Sequence, residues 1–453
     1  MSSVRTTTTP TPVVRWLLIA AALALATVTA WVVAQNLRGE GDLGDEIAAA
    51  SPPAPGQQAS AAQIAQGAYL ARAGNCMACH TARGGQPYAG GRGIDTPFGT
   101  VYSSNLTPDA DTGLGRWSQA EFWRAMHHGR SADGRLLVPA FPYTSTTRVS
   151  RADANALYAY LHSLPPVAQA ARPHDLRFPF NTQAALAVWR ALYFQPGEYQ
   201  PNTARSAEWN RGAYLVQGLG HCNACHAQRN ALGATAGPLN LGGGLMPVQN
   251  WYAPSLADPR EAGVADWAVA DTVALLKTGV VERRGVHEVA SGPMGEVVLG
   301  STQHLSDADL LAMAVYLKSL GEAQGDAQGA APAPAEPAAA VAAAPRGAKL
   351  YTDHCASCHG ERGEGVPGAY PALANNRAVT MAVPANLVRI VLEGGFAPAT
   401  AGNPRPYGMP PFAQAFSNDD LAALLTHLRR SWGNQADAVT AVDVHRYRER
   451  GVR

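Results

Sequence analysis

The chain has 453 residues, a formal net charge of +1, and only 15% charged residues. That length suits about three domains, and the near-neutral balance excludes the basic field that draws nucleic acid. All six cysteines fall in three Cys-x-x-Cys-His motifs, "CMACH", "CNACH" and "CASCH", so committing those pairs leaves no thiol for a disulfide framework.

From Trp16 to Ala34 the chain reads "WLLIAAALALATVTAWVVA", without a charge. A run of that length is what one helix needs to cross a bilayer. Arg5 and Arg15 precede it, and Glu40, Asp42, Asp45 and Glu46 follow. The positive-inside rule therefore puts the N-terminus in the cytoplasm and everything after Gln35 outside. A cleaved signal peptide is the rival reading, with "VTA" (Val28–Ala30) or "VVA" (Val32–Ala34) as the cleavage site. The long run and Trp16 and Trp31 at its ends favour an uncleaved anchor. In either case the expected location is the periplasmic side of a bacterial inner membrane.

One plan then repeats three times. A helix-like run precedes each motif: "QGAYLARAGNC", "RGAYLVQGLGHC" and "RGAKLYTDHC". A second helix ends at glycine in "FWRAMHHG", "VALLKTG" and "VRIVLEG". Each unit closes with an amphipathic helix, "SRADANALYAYLHSL", "SDADLLAMAVYLKSL" and "SNDDLAALLTHLRRSW". Serine with Asp three residues on, at the head of each, is close to a capping box. Units of this size are repeated domains, not a solenoid. The expected divisions are an anchor over 1–38, a linker over 39–60 and a first unit over 61–165. A connector over 166–205, containing Phe178 and Trp189, should pack onto its neighbours and join units one and two rigidly. The second unit spans 206–322, an Ala/Pro spacer 323–345, a more mobile third unit 346–435, and a solvated basic tail 436–453.

Two thiols three positions apart, followed at once by histidine, are the attachment pattern of c-type haem. The thiols Cys76, Cys79, Cys222, Cys225, Cys355 and Cys358 would form the thioether links, and His80, His226 and His359 would bind iron. A zinc site would need a second Cys or His pair near each motif, and none recurs. Methionine opposite histidine gives a cytochrome c of raised potential. Met294 follows Gly279, and Met409 follows Gly394, at the same interval, in loops ahead of the closing helix. They are the expected distal ligands. In unit one Phe141 of "LVPAFPY" stands at the corresponding place, and a phenyl ring has no lone pair for iron. The first haem should then be the odd member of the set. Met126 is expected in the core, and His127 and His128 as partly solvated helix residues.

These segments, "GAYLARAGNCMACHT", "TPFGTVYSSNLTPD", "EWNRGAYLVQGLGHCNACH", "STQHLSDADLLAMAVYLKSL" and "CASCHG", resemble the membrane-bound triple-haem cytochrome c subunits of periplasmic dehydrogenases. The resemblance covers nearly the whole chain. It implies an all-α fold, three tandem cytochrome c domains behind one transmembrane helix, with three covalently bound haem c groups. It also implies the thiol, histidine and methionine roles above. The partner would be the catalytic subunit of a molybdenum hydroxylase, quinoprotein or flavoprotein dehydrogenase, and the acceptor ubiquinone or a terminal oxidase. "PAFPYT", with Phe141 for the methionine of the alcohol-dehydrogenase type, is closer to the molybdenum-hydroxylase branch, the nicotinate and isoquinoline type. The competing expectations are a peroxidase-like enzyme at the first haem and a haem subunit of a respiratory oxidase.

Overall fold

The structure, a computed structural model, describes residues 12–49, 59–237, 240–283, 286–322 and 338–449. Arg5, residues 50–58 of the linker and most of the Ala/Pro spacer lie outside the described residues.

Helix α1 (Pro12–Leu37) is apolar on all sides, with a mean hydropathy of 2.4 in its best window. A helix with no polar face has no use for water on any side. Its residues from Pro12 to Trp31 are exposed, and only Val32, Gln35 and Asn36 are shielded by the rest of the chain. The hydroxyls of Thr27 and Thr29 donate back to the carbonyls of Leu23 and Leu25 at 2.9 Å, so neither leaves a polar group unpaired on the apolar surface.

The expected linker over 39–60 contains a second helix, α2 (Gly41–Ala49). Leu43 and Ile47, one helical turn apart, pack against Ala120, Trp123 and Ala154 of unit one. Arg130 holds Glu40 at 3.0 Å, and Arg151 pairs with Glu46. Two apolar residues and two ion pairs, set among acids and followed by prolines, are enough to fasten the segment down.

Unit one runs α3 (Ala61–Ala73), the motif turn α4 (Cys76–Cys79), α5 (Gln119–His128), α6 (Tyr143–Thr146) and α7 (Arg151–His162). Ser118 and Glu121 form a complete capping box on α5, and Ser60 and Ser150 cap α3 and α7. Strands β1 (Gly93–Thr96) and β2 (Gly99–Tyr102) pair antiparallel, and β3 (Asp175–Leu176) of the connector adds to β2. The connector continues as α8 (Gln183–Tyr193). Unit two repeats the order in α9 (Ala207–Gln217), α10 (Asn223–His226), α11 (Val269–Thr278), α12 (Pro293–Gly300) and α13 (Asp307–Glu322). Between them lie the hairpins β4 (Gly244–Leu245) with β5 (Tyr252–Ala253) and β6 (Val280–Arg283) with β7 (Val286–Val289). Unit three has α14 (Ala338–His354), α15 (Ala356–His359), α16 (Arg377–Thr380), α17 (Ala385–Glu393), α18 (Asn418–Arg430) and α19 (Ala441–Glu449), with β8 (Gly395–Phe396) against β9 (Gly408–Met409). The fold is therefore mainly helical rather than purely so: short ladders stiffen the loops between the helices.

In every unit the opening helix lies against the closing one at a glycine. A Cβ on Gly67 would fall 1.9 Å from the Ala156 carbonyl oxygen, on Gly212 1.9 Å from that of Ala312, and on Gly347 2.3 Å from that of Ala423. Only a missing side chain lets the two backbones approach so closely.

Units one and two share one apolar core, in which Leu70 and Leu157 join Leu215, Leu310 and Tyr316. Their contact is reciprocal. The Tyr69 hydroxyl donates to Asp309 of unit two at 2.6 Å, and Tyr214 donates to Asp153 of unit one at 2.6 Å. Each phenol also accepts an amide from the opposite cap serine, Ser306 and Ser150, both at 3.1 Å. The connector is a lesser clamp. Trp189 Nε1 donates to the Leu232 carbonyl at 2.9 Å, whereas Phe178, expected to pack, is 81% exposed.

Unit three has its own core around Leu387, Val388, Leu421, Leu424 and Leu425. It docks on unit two through polar contacts and through Tyr252, which packs against the unit-three core. Asn386 brackets Tyr252 with bonds of 2.8 and 2.7 Å, Arg377 reaches Asp266 at 2.9 Å, and Thr400 donates to the Thr278 carbonyl at 2.9 Å. Residues 338–345 of the expected spacer belong to α14. The described part of the tail is packed on one face rather than fully solvated. Val444 and Tyr447 of α19 are buried in the unit-three core, and Arg448 binds Asn418 and the carbonyls of Ala413 and Phe416 at 2.7–2.8 Å.

Candidate haem-binding sites

Each motif is a single helical turn placed directly after its opening helix, so cysteine and histidine project from one short, rigid piece of backbone. In all three units the imidazole Nδ1 is bound to a backbone carbonyl. His80 meets Ser104 at 2.8 Å, His226 meets Pro254 at 2.7 Å, and His359 meets Pro371 at 2.9 Å. A carbonyl can only accept, so Nδ1 carries the proton and Nε2 keeps its lone pair. That is the arrangement a metal-ligating histidine requires, with the tautomer and ring plane set by the second partner. Burial lowers the pKa of His80, His226 and His359, favouring the neutral ring.

The six thiols are all free. Burial pushes Cys76 and Cys222 up to about 12 and Cys355 to about 11, with the second cysteine of each motif adding to the effect. Such thiols stay protonated in the folded chain. Among the described residues no three His, Cys, Asp or Glu side chains converge as a metal-binding group. Covalent attachment to a ring bearing its own iron suits these residues better than a zinc site does.

Two arginines brace the motif turns. Arg92 donates to the Ala78 carbonyl at 2.7 Å and Arg229 to that of Ala224 at 2.6 Å. Burial also raises Cys79 and Cys225, opposed by Arg92 and Arg229 respectively. Across the unit boundary Glu296 acts on Cys79, and Cys79 on Cys225. The motif edges of units one and two thus face each other.

Met294 is half-buried in α12 against the shared core, and Met409 is half-buried in β9, paired with Gly395. Phe141 is half-buried against the shared core. Backbone register relates it to Met294. The Leu137 amide returns to the carbonyl of Gly129 at 2.9 Å, and the Ala290 amide to that of Gly279 at 2.8 Å. Phe141 and Met294 stand at the same distance beyond those amides. Threonine then ties the next turn in both units: Thr146 to the Met126 carbonyl at 2.6 Å and Thr302 to the Leu276 carbonyl at 2.5 Å.

His127 and His128 differ from expectation. They are buried, 8% and 3% exposed, with His127 stacked on Trp123 at 4.3 Å. Helix α2 and the connector cover the face of α5 that the isolated sequence left open. Burial, reinforced by the His128 charge, brings His127 down to about 4, and burial with the Arg190 charge does the same to His128. Met126 is in the core, as expected. Sequence reasoning missed the carbonyls of Ser104, Pro254 and Pro371. They lie 24, 28 and 12 residues beyond their histidines, so no common spacing marks them.

A Cys-x-x-Cys-His turn with its imidazole oriented by a carbonyl defines a c-type cytochrome, and the cytochrome c family model matches residues 64–165 and 344–432. The chain is 40% identical over 405 residues to an alcohol dehydrogenase (quinone) cytochrome c subunit of Gluconacetobacter polyoxogenes, covering 87% of this chain and 86% of that one. It is 39% identical to a gluconate 2-dehydrogenase cytochrome c subunit of Pantoea cypripedii, covering 85% and 90%. It is 45% identical to a nicotinate dehydrogenase subunit of Pseudomonas putida, covering 85% of this chain but 31% of that longer protein. The chain belongs to the family of cytochrome c subunits of dehydrogenase complexes, which carry covalent haem c and serve electron transport.

Proposed function

We propose that the chain is a membrane-anchored, triple-haem electron carrier. It accepts electrons from a periplasmic dehydrogenase and delivers them to ubiquinone or a terminal oxidase. The observation that carries the count of three is the carbonyl-bound histidine, which recurs in units one, two and three at 2.8, 2.7 and 2.9 Å. Bound haem would supply a one-electron iron couple. The chain's own residues position it: Cys76, Cys79, Cys222, Cys225, Cys355 and Cys358 fasten the rings, and His80, His226 and His359 present Nε2 to iron. Met294 and Met409 would offer thioethers as the further ligands. Helix α1 holds the assembly at the inner membrane with the haem units on the periplasmic face.

Phe141 at the register of Met294 supports a first haem without a methionine ligand. The same feature favours a molybdenum-hydroxylase partner of the nicotinate type over the quinoprotein or flavoprotein types, in keeping with the 45% identity to the nicotinate dehydrogenase relative.

The test is a pyridine haemochrome count joined to spectropotentiometric titration of the matured chain. Three haems per chain are expected, and two or fewer overturn the reading. Met294→Ala and Met409→Ala should each lower the midpoint potential of one haem, because a thioether favours ferrous iron. Phe141→Met should move the odd haem toward a His/Met spectrum. Three indistinguishable His/Met haems in the parent would refute the placement of Phe141.

A further inference from the structure

The base of the membrane helix is built into the connector. Asn36, in the last turn of α1, donates to the Val32 and Ala187 carbonyls at 2.9 Å and accepts from Arg190 Nε at 2.9 Å. Arg190 is the one charge on α8, and it is directed inward: it is 4% exposed and also reaches the Gly129 carbonyl. Everything α8 shows to the outside is therefore uncharged. Ala184, Val188 and Leu192, spaced four apart, form an exposed stripe, with Val188 47% and Leu192 52% exposed and Tyr193 beside them at 37%. Trp189 lies 5.5 Å from Tyr193, ring to ring, and touches the exposed Leu232 of unit two.

We infer that this face of α8 is a second, in-plane membrane contact, resting on the lipid surface beside the point where α1 enters it. This contact rests on the reading of α1 as a membrane span and extends it. The bilayer boundary on α1 falls where its apolar run ends, at Ala34, two residues before Asn36. A helix hydrogen-bonded to Asn36 is thus held within a few ångströms of the headgroups. At that depth an uncharged stripe of valine and leucine gains by leaving water, and Trp and Tyr at its edge belong at the interface. In-plane helices of this kind usually carry a basic polar face. Here the polar face is turned to unit one instead, and α1 supplies the attachment that lysines would otherwise give. The contact would restrain the tilt of units one and two over the membrane.

The test uses the full chain in nanodiscs of phosphatidylethanolamine and phosphatidylglycerol. A nitroxide is attached at Val188→Cys, Leu192→Cys, Leu23→Cys in α1, or Arg116→Cys on an exposed loop, with the unsubstituted chain as the labelling control. Collision with dissolved oxygen and with a water-soluble nickel chelate is then compared. The expected result is that positions 188 and 192 follow position 23, with an oxygen-to-nickel ratio several-fold above that of position 116. If the chelate reaches 188 and 192 as freely as 116 while 23 stays protected, the α8 contact is refuted and the anchor stands. Chelate access at 23 refutes the anchor and, with it, the contact. Exclusion of both reagents at 188 and 192 means that protein, such as a second copy, covers the face, and it also refutes lipid contact.

Discussion

Units one and two on one side, and unit three on the other, are built to the same internal plan but joined by different physics. The first two merge their apolar surfaces into one core and exchange tyrosines into each other's closing-helix caps. Unit three closes its own core with α19 and meets unit two through amide, guanidinium and hydroxyl contacts around a single packed ring, Tyr252. Loss of a shared core is costly and cooperative, whereas polar docking at a wet boundary contributes little net stability. The pair should therefore melt as one body and unit three as another. This division would suit the proposed carrier, with two centres in a fixed relation and a third at a separable surface.

Acid should act most strongly on the pair, where two buried imidazoles are brought furthest down, while in unit three burial lowers His427 as well. His127 and His128 fold with pKa values of about 4 against an ordinary 6.5. Between those limits the unfolded chain binds more protons than the folded one. Stability is therefore highest above pH 6.5, falls as pH drops toward 4, and levels off below. The expected loss is on the order of 2–3 kcal/mol per imidazole. Denaturant titration of the paired-unit transition across that window checks it, and His127→Gln should flatten part of the slope.

The glycine crossings distinguish the two regions next. Gly67→Ala or Gly212→Ala drives a methyl into a carbonyl and should destabilise by about 1–3 kcal/mol, lowering the joint transition of units one and two. Gly347→Ala should lower only the transition of unit three. Calorimetry resolves the two, and a single transition shifted equally by all three variants would show that the units are not separately cooperative.

Tyr69→Phe and Tyr214→Phe each remove a phenol bonded to a carboxylate. Hydrogen bonds to charged groups contribute about 1.5–3 kcal/mol. Asp309 keeps the Arg211 fork at 2.7 and 2.8 Å when its phenol is removed, whereas among the described residues Asp153 has no such fork. Tyr214→Phe should thus cost more than Tyr69→Phe, as chemical denaturation would measure. The smallest effect is reserved for Arg377→Ala at the unit two–three boundary. It should cost below about 1 kcal/mol and leave both melting transitions in place, yet speed hydrogen exchange around Asp266 and Asn386.

Much of the candidate site was legible because its signals are contiguous. Cys-x-x-Cys-His occupies one helical turn, the Ser-x-x-acid caps act over three residues, and α1 declares itself by an uninterrupted apolar run. Such features are fixed by covalent geometry and local hydrogen bonding, so neighbours in sequence suffice to determine them. What tertiary structure decided involves partners far apart in the chain. Tyr69 meets Asp309 across 240 residues, and His226 finds its carbonyl at Pro254 only because β5 is folded beneath the motif. The same holds for the burial of His127 and His128, which α2 and the connector impose, and for α19, whose basic appearance hid Val444 and Tyr447. The match between Phe141 and Met294 likewise rests on two backbone amides returning to Gly129 and Gly279. Solvation of a side chain and the partner of a buried polar atom are set by which surfaces meet, and a one-dimensional pattern records only the readiness of each surface to do so.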